Sequence, residues 1–234
     1  MRAALVTGAS RGIGFALARM LADEGHDLTI ASRRPENVDR AAATLRDAGF
    51  AVEAVAGDMS SEQDIQEIVR RHRERFGRLD VLVNNAGVGI GATVGEISTK
   101  RLDVQLDVNL RSIILFYREC HDLLKTAEGA HVINTASVAG KSGQGWLSVY
   151  SAAKAGVIAW TQAMNRELGA DRIKSTALAP GFVDTDMTEF IRGTVSAEDM
   201  IRPEDIAEMV RAVLRLSPAC VIPEIVFNRP GEGL

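Results

Sequence analysis

Short apolar runs alternate with longer amphipathic stretches along this chain. Runs at 3–7, 27–31, 51–56, 80–84, 131–135, 175–179 and 224–228 are bounded by turn-forming residues and predict seven strands. Between them, apolar positions recur at helical spacing near 13–24, 36–48, 62–76, 100–125, 148–168 and 203–216. Pro203 suits a first helical turn, where no amide donor is needed. Strand and helix in alternation predict an α/β fold, a parallel sheet with helices on both faces. Right-handed crossovers then make it a doubly wound seven-stranded sheet, whose ligand crevice lies at the carboxyl ends of the strands where the winding reverses. No repeat, low-complexity tract or linker interrupts the series, so one domain over residues 1–234 is expected.

Composition narrows the classes. With 46% hydrophobic and 25% charged residues the chain is of ordinary globular type, and a formal net charge of -4 offers no footprint for nucleic acid. The first apolar run, from Ala3 to Val6, is too short for a signal sequence or a membrane span, which predicts a cytoplasmic protein with no membrane partner. Cys120 and Cys220 stand far apart in no metal-like cluster, so a reducing compartment and two buried, inert thiols are expected. The four histidines are scattered, and no catalytic metal is predicted. Trp146, Trp160, Met164 and Phe116 read as packing residues, and His72-Arg73-Glu74-Arg75 as the solvated end of a helix.

The chemistry begins at Thr7-Gly8-Ala9-Ser10-Arg11-Gly12-Ile13-Gly14, which follows the first strand and opens the first helix. Gly8 permits a tight turn, Gly12 lets backbone approach a pyrophosphate, and Gly14 removes a side chain where helix meets strand. The helix N-terminus adds amides and positive potential. Further on, Tyr150 and Lys154 lie four positions apart and share a helix face. An ammonium near a phenol of pKa ~10 favours phenolate, which makes the pair a tunable acid/base. Read in isolation, the pair also fits a solvated helix face. Ser137, just past the fifth strand, faces the same crevice and can polarise a carbonyl beside Tyr150; alone it also reads as a turn residue or cap.

More segments extend the pattern in order: Asp58 after the third strand, Asn84-Asn85-Ala86-Gly87 closing the fourth, Asn109 in a long helix, Tyr150-Ser151-Ala152-Ala153-Lys154, and Pro180-Gly181-Phe182-Val183-Asp184-Thr185 after the sixth. From Thr7 to Thr185 the chain resembles the short-chain dehydrogenase/reductase family. The resemblance implies a Rossmann fold and hydride transfer between nicotinamide and a carbonyl or alcohol. Tyr150 would be the acid/base and Ser137 would hold the developing alkoxide. Lys154 would hold the ribose hydroxyls and lower the Tyr150 pKa, and Asn109 would organise a water-linked proton path. Cofactor contacts are implied for Gly8, Ser10, Arg11, Gly12, Ile13, Gly14, Asp58, Met59, Asn85, Ala86 and Gly87, and at the nicotinamide end for Pro180, Gly181, Val183 and Thr185. The family commonly pairs subunits through segments like 100–125 and 148–168, which implies a homodimer or homotetramer. The region from Ile225 to Pro230 departs from the Asp-Gly-Gly turn in which many relatives end.

After the second strand stands Ser32-Arg33-Arg34, with no acid until Glu36. An NAD site usually carries a carboxylate there, and that group would repel a 2′-phosphate. Arg33 offers a fork of donors, Ser32 a hydroxyl, and Arg11 an approach from the other side, which predicts NADP(H) over NAD(H). Arg34 fits a surface charge equally well. Two other readings stay open. One is a nucleotide-sensing regulatory protein that kept this fold without catalysis, against which the complete Asn109, Ser137, Tyr150 and Lys154 set weighs. The other is a sugar-nucleotide epimerase or dehydratase, whose substrate domain needs more than the roughly fifty residues after Thr185.

Overall fold

Residues 2–232 are described in a computed structural model of the chain. All seven predicted strands are present: β1 (Arg2–Thr7), β2 (His26–Ser32), β3 (Val52–Ala56), β4 (Val81–Asn84), β5 (His131–Thr135), β6 (Lys174–Pro180) and β7 (Glu224–Phe227). They form one parallel sheet in the order β3-β2-β1-β4-β5-β6-β7. The winding reverses between β1 and β4, where Val6 pairs with Ile30 on one side and Val83 on the other. A crevice must open there, because the connections leave the two strand ends in opposite directions.

Strand alternation sorts the core into two layers. Ala4 and Val6 face α1 (Gly12–Asp23), α2 (Pro35–Asp47) and α7 (Pro203–Leu214), packing among Leu17, Leu21, Leu45 and Val210. Leu5 faces α3 (Glu62–Phe76) and α5 (Ser112–Lys125), among Ile65, Ile68, Phe116 and Leu123. Each such fully buried side chain contributes about 1.5–3 kcal/mol. The capping signals of α3 explain why its predicted and observed limits coincide. The Ser61 hydroxyl accepts from the Asp64 amide at 3.3 Å, and Gly77 stops the helix in a left-handed turn at φ 67°.

The segment 100–125 departs from one uninterrupted helix. It comprises α4 (Thr99–Leu106), one π-helical turn (Asp107–Arg111) and α5, with the Ser112 amide reaching back five residues to the Asp107 carbonyl. The wide turn swings Asn109 onto the β4–α4 connection. There its amide group donates to the Val88 carbonyl at 2.8 Å and accepts from the Val88 amide at 2.9 Å.

Two other expectations are corrected. His72 is buried rather than solvated: its Nε2 donates to the Arg78 carbonyl at 2.9 Å and its Nδ1 accepts from the Thr29 hydroxyl at 2.8 Å, while burial pushes the imidazole down to about 4. Cys120 is buried as expected, but Cys220 is exposed. A buried polar pair joins β4 to β5, where the Asn84 amide donates to Asn134 Oδ1 at 2.9 Å and Asn134 donates to Thr161 of α6 (Ser148–Glu167) at 3.0 Å. No helix among the described residues is long and apolar enough to cross a membrane.

The entry into α1 is a tight contact between helix and glycine turn. A methyl group added at Gly14 would stand 2.4 Å from both Asn85 Nδ2 and the Gly8 carbonyl oxygen. Gly14→Ala is therefore expected to lower unfolding free energy by about 1–3 kcal/mol and to weaken nucleotide binding. Gly25→Ala, with open space around it and only its φ of +83° to strain, should cost about 1 kcal/mol and leave binding intact. Denaturant titration and nucleotide fluorescence of both variants check this pair of outcomes.

Candidate active site

The glycine loop is held from beneath. The Thr7 hydroxyl accepts from the amides of Asn85 at 3.0 Å and Ala86 at 3.1 Å, and the Asn85 side chain donates to the carbonyls of Thr7 at 3.3 Å and Gly8 at 3.2 Å. Gly8 adopts φ +64°, and a side chain there would meet the Ala86 backbone at 2.8 Å. Only glycine fits both demands. The expected tight glycine turn is thus built, and Asn85 acts in it as a structural staple.

A cleft of about 720 Å³ runs from this loop along the carboxyl ends of the strands. Every predicted site residue lines it except Gly14, Arg34 and Asn109. Gly14 lies under the loop, Arg34 is exposed at the start of α2, and Asn109 stands behind Gly87. At the adenosine end the Ser32 hydroxyl is buried with no hydrogen-bond partner, and the Arg33 side chain is exposed next to it. Asp58 is held below the usual carboxylate range, first by the Ser60 amide and then by the Ser60 hydroxyl and the Arg33 charge. Arg11, expected at a 2′-phosphate, is instead paired with Asp186 on the Thr185 side of the loop.

At the other end Ser137, Tyr150 and Lys154 converge. The Ser137 hydroxyl accepts from the Ala139 amide at 3.2 Å and lies 3.4 Å from the Pro180 carbonyl, so it caps a short turn and faces the cleft at once. Burial pushes the Tyr150 hydroxyl up, and the neighbouring Ser137 hydroxyl opposes that shift. Lys154 is 2% exposed and donates to the Thr135 carbonyl at 2.6 Å, while its Nζ stands 5.7 Å from the Tyr150 ring centre. Burial brings this ammonium down to about 8. The expected depression of the Tyr150 pKa by Lys154 is not seen: burial raises it, and the hydroxyl that opposes the rise is that of Ser137 rather than the Lys154 ammonium. A methyl group at Gly87 would lie 3.1 Å from Asn109 Oδ1 and 3.6 Å from Lys154 Nζ, so the bare backbone lets both close in.

Three features escaped the sequence reading. Thr135 receives Lys154 on its carbonyl and donates its hydroxyl to Asn85 Oδ1 at 3.3 Å; its place as the last residue of β5 was the available signal. Asp186, the partner of Arg11, gave none. Trp146 is 58% exposed with φ +67°, a left-handed conformation that costs a tryptophan about 1–2 kcal/mol. Phe116 and Met164 do pack in the core and Trp160 packs against it, but Trp146 does not. The flanking run Gly143-Gln144-Gly145 marks a loop rather than a helix face.

A doubly wound nucleotide fold with serine, tyrosine and lysine at one end of its crevice defines a class of nicotinamide-dependent oxidoreductase. The chain belongs to the short chain dehydrogenase family, which it matches over residues 2–195. It is 37% identical, over 85% of its length and 77% of the relative's, to a monensin polyketide synthase putative ketoacyl reductase of Streptomyces virginiae. It is 32% identical to a 3-oxoacyl-[acyl-carrier-protein] reductase of Synechocystis sp., covering 97% of this chain and 95% of that one. Among solved structures, an alcohol dehydrogenase from the archaeon Thermococcus sibiricus, complexed with 5-hydroxy-NADP, superposes with a TM-score of 0.91 at 29% identity, covering 100% and 99% of the two chains.

A lysine whose pKa is lowered by folding destabilises the native state wherever it must stay charged. For Lys154 that cost is full below pH about 8 and vanishes as pH rises towards its unfolded value of 10.5. At ~1.4 kcal/mol per pKa unit the penalty is on the order of 3 kcal/mol. Lys154→Met should therefore raise the melting temperature of the cofactor-free protein at pH 7, and the gain should shrink between pH 8 and 10.5. Thermal scans across that range decide it: a gain independent of pH would contradict the burial cost.

Proposed function

We propose that this chain transfers a hydride between NADP(H) and a carbonyl or alcohol substrate, with Tyr150 as general acid/base. The observation that carries this reading is the convergence of Ser137, Tyr150 and Lys154 in one cleft with the glycine loop. In the reducing direction Tyr150 donates its proton to the carbonyl oxygen, and Ser137 hydrogen-bonds the same oxygen as negative charge grows there. A phenol with a raised pKa stays protonated at neutral pH and is ready to donate. In the oxidising direction Tyr150 must become a base. Its position in the first turn of α6 and the charge of Lys154 then favour the phenolate.

When bound, NADPH supplies the hydride. Lys154 would hold the nicotinamide ribose hydroxyls, Thr185 and the backbone after Pro180 the amide and phosphate end, and the glycine loop the pyrophosphate. Asn109 clamps the Val88 backbone behind Lys154, which fixes the wall on which a water-linked proton path would rest. The partnerless Ser32 hydroxyl beside the Arg33 guanidinium suits a 2′-phosphate, which accepts from both donors. The relative solved with an NADP derivative favours the same cofactor. Two unpaired cysteines suit a reducing compartment, the cytoplasm. α5 and α6 are the surfaces assigned to subunit pairing, and light scattering should give a dimer or tetramer.

Tyr150→Phe is expected to lower kcat by 10²-fold or more while NADPH affinity stays within about threefold of the parent. Steady-state reduction of a ketone panel together with fluorescence titration of NADPH measures both; turnover near the parent value would sink the mechanism. Arg33→Ala should erase the advantage of NADPH over NADH mainly through the cofactor KM. Equal use of both cofactors by the parent would overturn that assignment and leave Tyr150 untouched.

A further inference from the structure

Resting on the reductase reading above, we infer that Trp146 sets substrate choice, and that the site takes neutral ketones bearing a planar aromatic substituent next to the carbonyl. Trp146 precedes Tyr150 by one helical turn of sequence and is the last residue before Leu147 caps α6. Its backbone carbonyl accepts from the Ala92 amide at 2.9 Å, which ties its loop to the β4–α4 connection. A methyl group at Gly91 would lie 2.3 Å from ring atoms Cε2 and Cζ2 and 2.4 Å from Cη2. Those nearly equal distances put the Gly91 backbone over one face of the benzo ring, where no larger residue fits. The indole is therefore a fixed plane, although 58% of the residue is open to solvent.

The plane lies against a segment that enters the cleft rather than in the cleft lining itself. Gly89 and Ile90, which lead into Gly91, line that cleft together with Ser137 and Tyr150. Met187 also lines it, from the segment after Thr185; it is 49% exposed, and Phe190 in the same segment is 66% exposed. Ile90 and Met187 thus bring apolar side chains into the cleft from two separate connections, and thioether and aromatic groups both favour a flat π-surface. The basic side chains bordering these connections are already paired: Lys141 with Glu224 at 2.6 Å, Arg192 with Asp184 at 2.9 Å, Arg202 with Asp205, and Arg11 with Asp186. An anionic keto acid would find no free cation among them, whereas an uncharged ketone needs none. A left-handed tryptophan with so little burial is not explained by core packing, and strain of this kind gathers at ligand-binding positions.

The test compares the parent with Trp146→Gly, which keeps the left-handed backbone without strain, and Trp146→Phe, which keeps an aromatic plane. Two readouts are needed: kcat/KM with NADPH for acetophenone and for butanone, and the Kd of acetophenone for the enzyme–NADP⁺ complex by calorimetry, which requires no turnover. Trp146→Gly should raise KM and Kd for acetophenone tenfold or more, change kcat/KM for butanone less than threefold, and leave NADPH affinity intact. Trp146→Phe should recover most of the loss. A parallel fall for both ketones would overturn the assignment, as would a parent complex that does not bind acetophenone. Binding that depends on Trp146 but leads to no turnover would support the assignment and count against the reductase reading instead.

Discussion

One line of hydrogen bonds joins the glycine turn to Lys154. The Asn85 side chain holds the Gly8 carbonyl with its amide hydrogens and receives the Thr135 hydroxyl on its oxygen, and the Thr135 carbonyl receives the Lys154 ammonium. Four groups, just past β1 and β4, at the end of β5 and on α6, are thereby fixed relative to one another at the edge where the sheet winding reverses. Cofactor and substrate sites sharing one rigid frame is the condition for hydride transfer over a short, defined distance. The close approach at Gly14 follows from the same demand, since a side chain there would push Asn85 and the Gly8 carbonyl away.

Electrostatics at the reacting end run against stability. Burying an ammonium beside a phenol is unfavourable for both, and each is shifted towards its neutral form. The arrangement persists because the surrounding sheet and helix hold it, with β5 and β6 buried along their length and Ser151, Ala153 and Lys154 buried on α6. The common dry environment moves the two proton affinities in opposite directions, so the phenol keeps its proton more firmly and the ammonium releases its own more readily.

Much of this was legible in the chain, because strand–helix alternation and glycine spacing are local patterns. All seven strands and the outer limits of each predicted helical stretch fell within a few residues of their observed positions, and for α3 the Ser61 cap and the Gly77 stop account for the agreement. The π turn was hidden, since one added residue leaves the apolar spacing of 100–125 almost unaltered. His72 was misread because a charged run conceals which of its members points inward. The pairing of Arg11 with Asp186 spans 175 positions and follows from tertiary geometry alone. Trp146 was assigned to packing on residue type, although its glycine-rich neighbours already argued for a loop. The gathering of Ser137, Tyr150 and Lys154 was foreseeable, because a doubly wound sheet collects strand ends at one edge.

The asparagine pair between β4 and β5 bears on how the chain reaches this arrangement. Asn84 and Asn134 are direct partners in the parallel ladder, and their amide bond continues to Thr161 on α6. Parallel strands distant in sequence assemble slowly and are exposed to misalignment, and a slide by one residue turns every side chain to the opposite layer. Such a slide would strand two amides among leucines and valines with nothing to bond. The network therefore works as a proofreading element for strand alignment, penalising mispaired collapse far more than it strengthens the finished sheet.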